Sequence, residues 1–473
     1  MKFKIYILLF VSAFNFGYSQ IRYEWGDDFE YNVKTETQPE IVLADNYNYY
    51  LLTVPTNGGI RGNGQLTLRK FDQKNALVDT YKQDFPSFDS GTLTNYLGFL
   101  ENGNGKVVVF IQSYSNKAKK SAIYQLEFDK ATSQFSAVEL TSSPILSLMK
   151  SGNVSLKKSQ NGRFMAIVYE MHRAKEEAEK SLVLVFDTAS QNILWQKEFA
   201  FTDNYYTKHF TVTESGNLVF LRLAKGFKKH NYLVFGTKDA EKIVEIDGEI
   251  MLQEPTAIAI NSQDYILALN SNAKGIRGGD FGNLLLFDVQ SAKTIQNSKV
   301  DFNSIKNIMD VKILNATVSG DEIRFFTEAK VQLDIKPKVT PGGGFAPTPF
   351  ASDMQRFGPS AYYVLGLDGT IKSVRKLSVD EGSPAELYHS FGLAFVKGSY
   401  YVNTGRYSGL YPLEGNGVSQ SINLHRYPSE TYRDNNVRYV NQLVRYFPDS
   451  NRFILARITD ENKMSFVSVF GVQ

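Results

Sequence analysis

The feature that most constrains this chain is a repeated pattern of four short apolar runs, clearest in residues 153–200. Val154–Leu156 and Phe164–Val168 are β-rich runs on either side of an Asn-Gly turn, and Asn and Gly tolerate the positive φ that a tight hairpin needs. Leu182–Phe186 is a continuous apolar run, typical of a strand covered on both faces, and Ile193–Phe199 closes the unit. The pattern predicts a four-stranded antiparallel sheet, which can bury both apolar faces only if similar sheets stack against it.

The third run of this unit, which ends in Phe-Asp or a related pair, recurs along nearly the whole chain. It is found at 66–72, 123–129, 182–187, 232–236, 284–288, 362–368, 422–427 and 466–471. Most of these runs are about 45–60 residues apart, the length of a four-stranded propeller blade. We therefore predict an all-β fold, a single β-propeller of about eight four-stranded blades. Seven blades is the alternative, because residues 428–440 are polar and lack a clear fourth strand.

These repeats resemble those of secreted bacterial β-propellers of the WD40-like, TolB-like and quinoprotein-like group. SQNGRFMAIVYE at 159–170 is similar to the turn and strand of TolB-type blades, and LVFDTASQNILWQKEF, ending at Phe199, is similar to the strand–turn–strand of quinoprotein-like blades. The resemblance covers essentially the whole chain after residue 19 and implies a fold, not an activity. The chain has only two tryptophans, Trp25 and Trp195, and lacks the repeated blade tryptophans of quinoproteins. No cofactor is expected.

Residues 1–19 are expected to be a signal peptide and residues 20–473 one propeller domain. Two lysines precede an apolar run that ends at Phe14, is too short to span a membrane and is followed by small residues that suit cleavage before Gln20. The chain has no cysteine, so a lipid anchor on an N-terminal cysteine is not expected. We expect an exported protein without a transmembrane span, located in the periplasm or outside the cell, including the periphery of the outer membrane.

The apolar run at the start of the predicted mature chain has no repeat of its own, whereas the last repeat stops after its third strand. We therefore expect residues near 21–31 to form the outer strand of the last blade.

Linear motifs for chemistry are absent from the sequence. No two of the five histidines have a metal-ligand spacing, and there is no Gly-x-Ser-x-Gly elbow or phosphate-binding loop. We identify no catalytic residue and no metal ligand. The net charge of +3 argues against nucleic-acid binding. The interpretation we favour is a non-catalytic binding or scaffold protein of the bacterial cell envelope. The alternative is an enzyme acting on polysaccharide or peptide, with residues drawn from several blades around the channel.

The long loops are predicted between the second and third strands of the repeats, and loops of this kind carry function on rigid scaffolds. They are rich in Lys and Arg, and the Pro/Gly-rich insertion at 330–359 adds phenylalanines. We predict that this face binds an acidic protein surface or an anionic glycan. The candidate binding residues are Lys119, Lys120, Lys228, Lys229, Arg277, Phe345, Phe350, Tyr407 and Tyr411.

Overall fold

The computed structural model describes residues 22–32, 35–44, 47–55, 64–101, 106–171, 178–202, 205–224, 231–246, 250–272, 280–291, 293–299, 308–332, 355–377, 392–396, 399–403, 409–412, 422–423, 438–460 and 463–470. In these residues the chain is built from antiparallel β-strands, and the helical segments are two single 3-10 turns at Leu148–Lys150 and Pro448–Ser450. The predicted fold class, all-β with four-stranded antiparallel sheets, is confirmed.

Two short strands open the described chain and join its last sheet: β1 (Arg22–Trp25) and β2 (Phe29–Glu30). Four sheets follow, each made of four consecutive strands. Sheet 1 contains β3 (Glu36–Ala44), β4 (Asn48–Pro55), β5 (Gln65–Asp72) and β6 (Leu77–Asp84). Sheet 2 contains β7 (Leu93–Glu101), β8 (Lys106–Ser115), β9 (Lys120–Asp129) and β10 (Gln134–Pro144). Sheet 3 contains β11 (Asn153–Lys158), β12 (Phe164–Glu170), β13 (Glu179–Asp187) and β14 (Ile193–Phe201). Sheet 4 contains β15 (Tyr205–Val212), β16 (Leu218–Ala224), β17 (Asn231–Gly236) and β18 (Glu241–Glu245).

Four further sheets complete the described chain. In sheet 5 the first strand is split into two pieces that pair with one neighbour: β19 (Ile250–Leu252) and β20 (Thr256–Ile260) precede β21 (Gln263–Asn272), β22 (Asp280–Asp288) and β23 (Lys293–Lys299). Sheet 6 contains β24 (Ile308–Ser319), β25 (Glu322–Gln332), β26 (Gln355–Gly366) and β27 (Ile371–Leu377). Sheet 7 contains β28 (Gly392–Val396), β29 (Ser399–Asn403), β30 (Gly409–Pro412) and β31 (Ile422–Asn423). Sheet 8 contains β32 (Arg438–Phe447), β33 (Arg452–Asp460) and β34 (Lys463–Phe470), together with β1 and β2.

Sheet 3 shows how the residue pattern produces a blade-like sheet. Its two central strands are buried along most of their length, since they are covered on both faces, and Met165 of β12 lies opposite Phe186 of β13. Burial instead alternates along the outer strand β14, where Trp195 and Phe199 are buried between exposed neighbours. The predicted Asn-Gly hairpin turn is present, with Gly162 at φ 71°. A continuous apolar run therefore marks a central strand, whereas burial alternates along the outer strand.

The apolar core lies between neighbouring sheets. Leu52 of sheet 1 and Val109 of sheet 2 belong to one buried cluster, and every later pair of consecutive sheets in the described chain shares a cluster of its own. Sheet 8 also shares a cluster with sheet 1, in which Phe71 contacts Phe466 at a ring-centroid distance of 4.8 Å. Each sheet thus buries its two faces against the sheets on either side.

The predicted pairing of residues 21–31 with the last repeat is confirmed for the strands described. β1 pairs antiparallel with β34, with Trp25 opposite Val467, and β2 places Phe29 opposite Met464. The Phe29 ring lies 4.8 Å from the ring of Phe71 in sheet 1. The start of the described chain therefore completes its last sheet and reaches the first.

The strand assignment predicted for the seventh repeat is wrong. The third strand of sheet 7 is β30, which pairs with β29, and residues 422–423 form the fourth strand rather than the third. Sequence patterns missed β30 because a strand of four residues that begins with a glycine and ends with a proline is too short to show an apolar period.

Two ends of the sheets are distinguished below. The turn end is where the first strand finishes and the second begins; the long-loop end is where the second finishes and the third begins. In sheet 6 the turn-end connection runs from Ser319 to Glu322, whereas the long-loop connection runs from Gln332 to Gln355. In sheet 2 the long-loop connection spans only residues 116–119, so it is a tight turn and not a long loop as predicted for this position of the repeat.

Candidate functional site

Most of the predicted binding residues lie outside the described residues: Lys228, Lys229, Arg277, Phe345, Phe350 and Tyr407. Tyr411 lies on strand β30, with its backbone opposite Val402, and not in a loop. Lys119 is exposed at the long-loop end of sheet 2, where its Nζ donates hydrogen bonds to Asn116 Oδ1 at 2.8 Å and to Leu146 O at 3.1 Å. The proposed role of these residues in binding remains a prediction.

Lys120 is the first residue of strand β9, so its predicted position in a loop is wrong. Its Nζ is 2.8 Å from Glu139 Oε2 and 5.1 Å from the centre of the Phe88 ring. The Lys120 ammonium and hydrogen bonds from neighbouring hydroxyls lower the pKa of Glu139, despite an opposing effect of burial. The charge of Lys120 is therefore already compensated within its own hairpin.

A layer of buried polar side chains lies at the long-loop end of the sheets. Each second strand contributes at least one such residue within its last five positions, and all of those named below are buried except Glu170, which is half-buried. This polar layer consists of Thr53, Gln112, Glu170, Arg222, Asn270, Glu328, Asn403 and Arg457. Burial of a polar group is costly unless it is hydrogen-bonded. Gln112 Nε2 donates to Ser121 Oγ at 3.0 Å, and Arg222 and Thr53 belong to charged networks. The apolar packing of the central strands therefore gives way to polar packing beneath the long loops.

Arg222 is the most deeply buried charge in the polar layer, with a side chain that is 0% exposed. Its Nη1 donates to the Glu179 carboxylate and to Thr207 Oγ1, the latter at 2.8 Å, and its Nη2 donates to Tyr205 O at 3.3 Å. Its guanidinium lies 4.0 Å from the centre of the Phe201 ring. This network joins sheet 3, which supplies Glu179, to sheet 4, which supplies Arg222.

Glu170 ends strand β12 close to this network. Burial raises the pKa of Glu170 to about 7; a hydrogen bond with Asn153 opposes the rise and the nearby Glu179 charge adds to it. The carboxyl group therefore changes protonation near neutral pH. A titratable group with such a shift, beside a second carboxylate and a buried arginine, is the kind of arrangement found at functional sites.

A second charged group of residues lies along the first strands of sheets 3 to 6. Lys157 Nζ of β11 donates to the Glu254 carboxylate, which precedes β20 in sheet 5. His209 of β15, in the intervening sheet 4, interacts electrostatically with both, and Lys312 of β24 interacts with Glu254 and with His209. We call this set, with Lys208, the inner-edge cluster. It brings together residues from four consecutive sheets.

Irregularities in the first strands position the cluster. The three residues between β19 and β20 bulge out of sheet 5, because Leu252 lies opposite Asn270 whereas Thr256 lies opposite Leu267. Glu254 lies at the middle of this bulge. A second bulge in β15 makes Lys208 an extra residue between Thr207 and His209. Bulges re-aim side chains at the edges of sheets, which accounts for the convergence of residues from different sheets.

The electrostatics of the inner-edge cluster are dominated by cations. Burial lowers the pKa of His209 to about 4; Glu254 opposes this shift, and Lys208, Lys157 and Lys312 reinforce it. Burial would raise the pKa of Glu254, but Lys157 and then His209 and Lys312 lower it overall. At neutral pH the cluster holds three ammonium groups, one carboxylate and an uncharged imidazole. It is suited to attract anions.

A cleft of about 460 Å³ lies between sheets 4 and 5 at the turn end. Its lining includes Ser215 and Asp264, which are hydrogen-bonded to each other, as well as Thr237, Lys242 and Gln290. Lys242 Nζ donates to Gln290 O at 3.1 Å across the cleft. The cleft lies at the opposite end of the sheets from the polar layer.

Two negative findings apply to the described ranges alone. No three His, Cys, Asp or Glu side chains among those residues are grouped so that they could hold a metal ion. No helix within that part of the chain is long and apolar enough to cross a membrane.

Sequence motifs missed the inner-edge cluster because its members are far apart in the chain. In the sequence, His209 is one of five histidines, no two of which have a metal-ligand spacing. The one available signal is the repeat itself: Lys157, His209, Glu254 and Lys312 are separated by about 45–60 residues, the length of one propeller blade. That spacing places them on the first strands of consecutive sheets, but it does not show which side chains converge.

Comparisons with known proteins identify no family. No family model matches this chain, and no curated protein is similar to it in sequence. Similar solved structures include the β-propeller domain of the Trilobed protease from Pyrococcus furiosus, with 12% identity over 76% of this chain and 97% of that chain and a TM-score of 0.34. They also include the acylaminoacyl peptidase of Pyrococcus horikoshii, with 12% identity over 91% of this chain and 59% of that chain and a TM-score of 0.39. A mutant of the Synechocystis apocarotenoid oxygenase has 10% identity over 95% of this chain and 93% of that chain, with a TM-score of 0.39. No activity is transferred from these proteins.

Proposed function

We propose that this chain is an exported, non-catalytic β-propeller of the bacterial cell envelope that binds a partner at its long-loop end. We further propose that its eight described sheets form the blades of one closed ring. Three observations support ring closure. Each sheet shares an apolar cluster with the next, sheet 8 shares one with sheet 1, and β1 pairs with β34.

The polar layer is the observation that carries the binding proposal. A polar residue recurs on the second strand of sheet after sheet at the long-loop end, although an apolar residue would pack there at lower cost. Such groups support a polar surface above them, and the connections predicted at that end are rich in Lys and Arg. The partner is therefore an acidic protein surface or an anionic glycan, attracted by the basic loops.

The alternative, an enzyme acting on polysaccharide or peptide, is favoured by one feature. Glu170 titrates near pH 7 beside Glu179 and Arg222, and general acids are tuned to such values. For this alternative, Glu170→Gln would abolish turnover of a substrate while leaving its binding intact. For the binding proposal, Glu170→Gln leaves partner binding unchanged.

Site-specific photocrosslinking in living cells tests the binding proposal. A photoreactive phenylalanine analogue replaces Lys117, which is exposed at the long-loop end of sheet 2. The matched control places the same analogue at Gln160, which is exposed in the turn at the opposite end of sheet 3. Irradiation should give an adduct from position 117 and none from position 160. Mass spectrometry and glycosidase treatment of the adduct then separate a protein partner from a glycan.

Two outcomes contradict the proposal. An adduct from position 160 alone would place the partner at the turn end. Equal adducts from both positions would indicate non-specific contact. If the adduct forms at position 160 alone, replacing Phe345 and Phe350 with Ala should leave its yield unchanged. The proposal instead expects that this double replacement lowers the yield of the adduct from position 117.

A further inference from the structure

The cleft between sheets 4 and 5 is built from the hairpin turns at the turn end of both sheets. These turns are residues 213–217 and 237–240 of sheet 4, and residues 261–262 and 289–291 of sheet 5. The cleft volume of about 460 Å³ lies within the range of about 300–1,000 Å³ that small-molecule sites occupy. The backbone N–H of Val289 donates to Asp264 O at 3.1 Å, which ties the two turns of sheet 5 together. The cleft can therefore hold a small molecule between walls that hydrogen bonds keep in place.

Polar side chains make up most of the lining. Nine of the twelve residues that line the cleft have a polar side chain, whereas sites for apolar ligands are lined mainly by apolar residues. Asn217 Nδ2 donates to Ser215 Oγ at 2.8 Å, and Ser215 Oγ donates to the Asp264 carboxylate on the other sheet. These hydrogen bonds orient the polar groups before a ligand arrives. The lining thus favours a ligand with many hydrogen-bonding groups.

The charges at the cleft are balanced. Asp264 and Glu241 supply two carboxylates, and Lys242 supplies one ammonium group. Glu241 Oε1 is also 3.1 Å from Lys197 Nζ, and Lys242 Nζ donates to Gln290 O at 3.1 Å. With two charges of each sign, the cleft has no excess charge with which to attract an ion. An uncharged ligand is therefore favoured over an anion or a cation.

One of the turns that line the cleft has a strained backbone. Ile260 lies opposite Gln263, so β20 and β21 are joined by a two-residue turn, in which Asn261 has φ 50° and Ser262 has φ 64°. Glycine is the preferred second residue of such a turn. The corresponding turns of sheets 3, 4 and 6 have glycine at positive φ, at positions 162, 216 and 320. Strain of this kind is concentrated at functional sites, and at this position it brings a hydroxyl group to the cleft.

We propose that the turn-end cleft is a binding site for a neutral saccharide. A sugar has hydroxyl groups that both donate and accept hydrogen bonds, and its C–H groups can contact apolar side chains. Asp264 accepts hydrogen bonds from the sugar hydroxyls, Ser262 and Lys242 donate to them, and Phe235 and Val289 contact its C–H groups. The site is independent of the partner proposed for the long-loop end, since the cleft lies at the opposite end of the sheets.

Saturation-transfer difference NMR on the full protein tests the proposal. The probes are the neutral disaccharides maltose, cellobiose, lactose and N,N′-diacetylchitobiose. We expect at least one of them to bind saturably. Asp264→Asn should weaken its binding by about tenfold, because the variant loses a hydrogen bond to a charged group. Ser262→Gly should weaken it by about fivefold, because the variant loses a hydrogen bond between neutral groups.

The melting temperature separates a loss of binding from a loss of folding. Ser262→Gly relieves the backbone strain, so this variant should melt at a higher temperature than the wild type while binding the disaccharide more weakly. Ser133→Gly is the matched control, because Ser133 is an exposed serine at φ 56° in the turn between β9 and β10, outside the cleft. The control should also raise the melting temperature, and it should leave binding unchanged.

Four outcomes overturn the proposal. They are the absence of binding by all the disaccharides, binding that is unchanged in both cleft variants, a lower melting temperature for Ser262→Gly, and equal weakening by Ser133→Gly. The result is separate from the photocrosslinking test, because the disaccharide signal is measured on the purified protein without its partner.

Discussion

The pH dependence of stability should show two opposing contributions, from Glu170 and His209. The pKa of Glu170 is raised from 4.5 to about 7, so between these values the folded state holds a proton that the unfolded state has lost. Stability therefore falls as pH rises through this range. The pKa of His209 is lowered from 6.5 to about 4, so here the unfolded state holds the extra proton and stability rises with pH. Between about pH 4.5 and 6.5 the two slopes oppose each other.

The magnitude follows from the size of each shift. One pKa unit corresponds to about 1.4 kcal/mol, so the rise at Glu170 corresponds to about 3 kcal/mol lost between acid and neutral pH. The His209 contribution is smaller, about 2 kcal/mol, because its ring is partly exposed and solvent screens it. Glu170→Gln imitates the protonated carboxyl group and removes the first contribution. The variant should gain about 3 kcal/mol relative to the wild type between about pH 4.5 and 7.5.

The assay is urea unfolding followed by far-ultraviolet circular dichroism at several pH values and constant ionic strength. The measured quantity is the difference in free energy of unfolding between variant and wild type, which removes the titration of all other groups. His209→Gln should give a difference of opposite slope between about pH 4 and 6.5. Glu245→Gln, an exposed glutamate of β18, is the control and should give a flat difference. A flat difference for Glu170→Gln as well would refute the assignment of a raised pKa to that residue.

Three further predictions concern the buried network, the joined ends and export. Arg222→Met should destabilise the fold by about 3–5 kcal/mol because it leaves the Glu179 carboxylate buried and uncompensated, whereas Arg222→Met combined with Glu179→Gln should recover most of the loss in the same urea assay. Phe29→Ala should lower the free energy of unfolding by about 3–5 kcal/mol, because Phe29 is 5% exposed between sheets 1 and 8. Tyr23→Ala is the control in β1, where the side chain is 43% exposed, and should lower it far less. Equal losses for the two variants would contradict the packing described. N-terminal sequencing of the mature protein should begin at or near Gln20, and an intact Met1 in the cytoplasm would contradict export.

Much of the fold follows from local sequence patterns. Continuous apolar runs such as Leu182–Phe186 form central strands. On the outer strand β14 burial alternates although Ile193, Leu194 and Trp195 are consecutive apolar residues. This works because the pattern of burial along a strand reflects which of its faces are covered, and a repeated sheet presents the same environment each time. Short strands are the exception. β30 has only four residues, too few for a period to be visible.

The inner-edge cluster and the polar layer were decided by the tertiary structure. The bulge that carries Glu254 is a feature of register, and register depends on which strand lies opposite, not on the residues of the bulge alone. The pairing of Lys157 with Glu254 joins residues 97 positions apart in the chain, across an intervening sheet. The low pKa of His209 arises from burial and from the charges of Lys208, Lys157 and Lys312, two of which lie on other sheets, against the opposing charge of Glu254. The sequence by itself determined where strands begin and how they repeat, because those are local properties. Only the packing of one sheet against the next determined which charges meet, because electrostatic interactions depend on distance in space and not on separation along the chain.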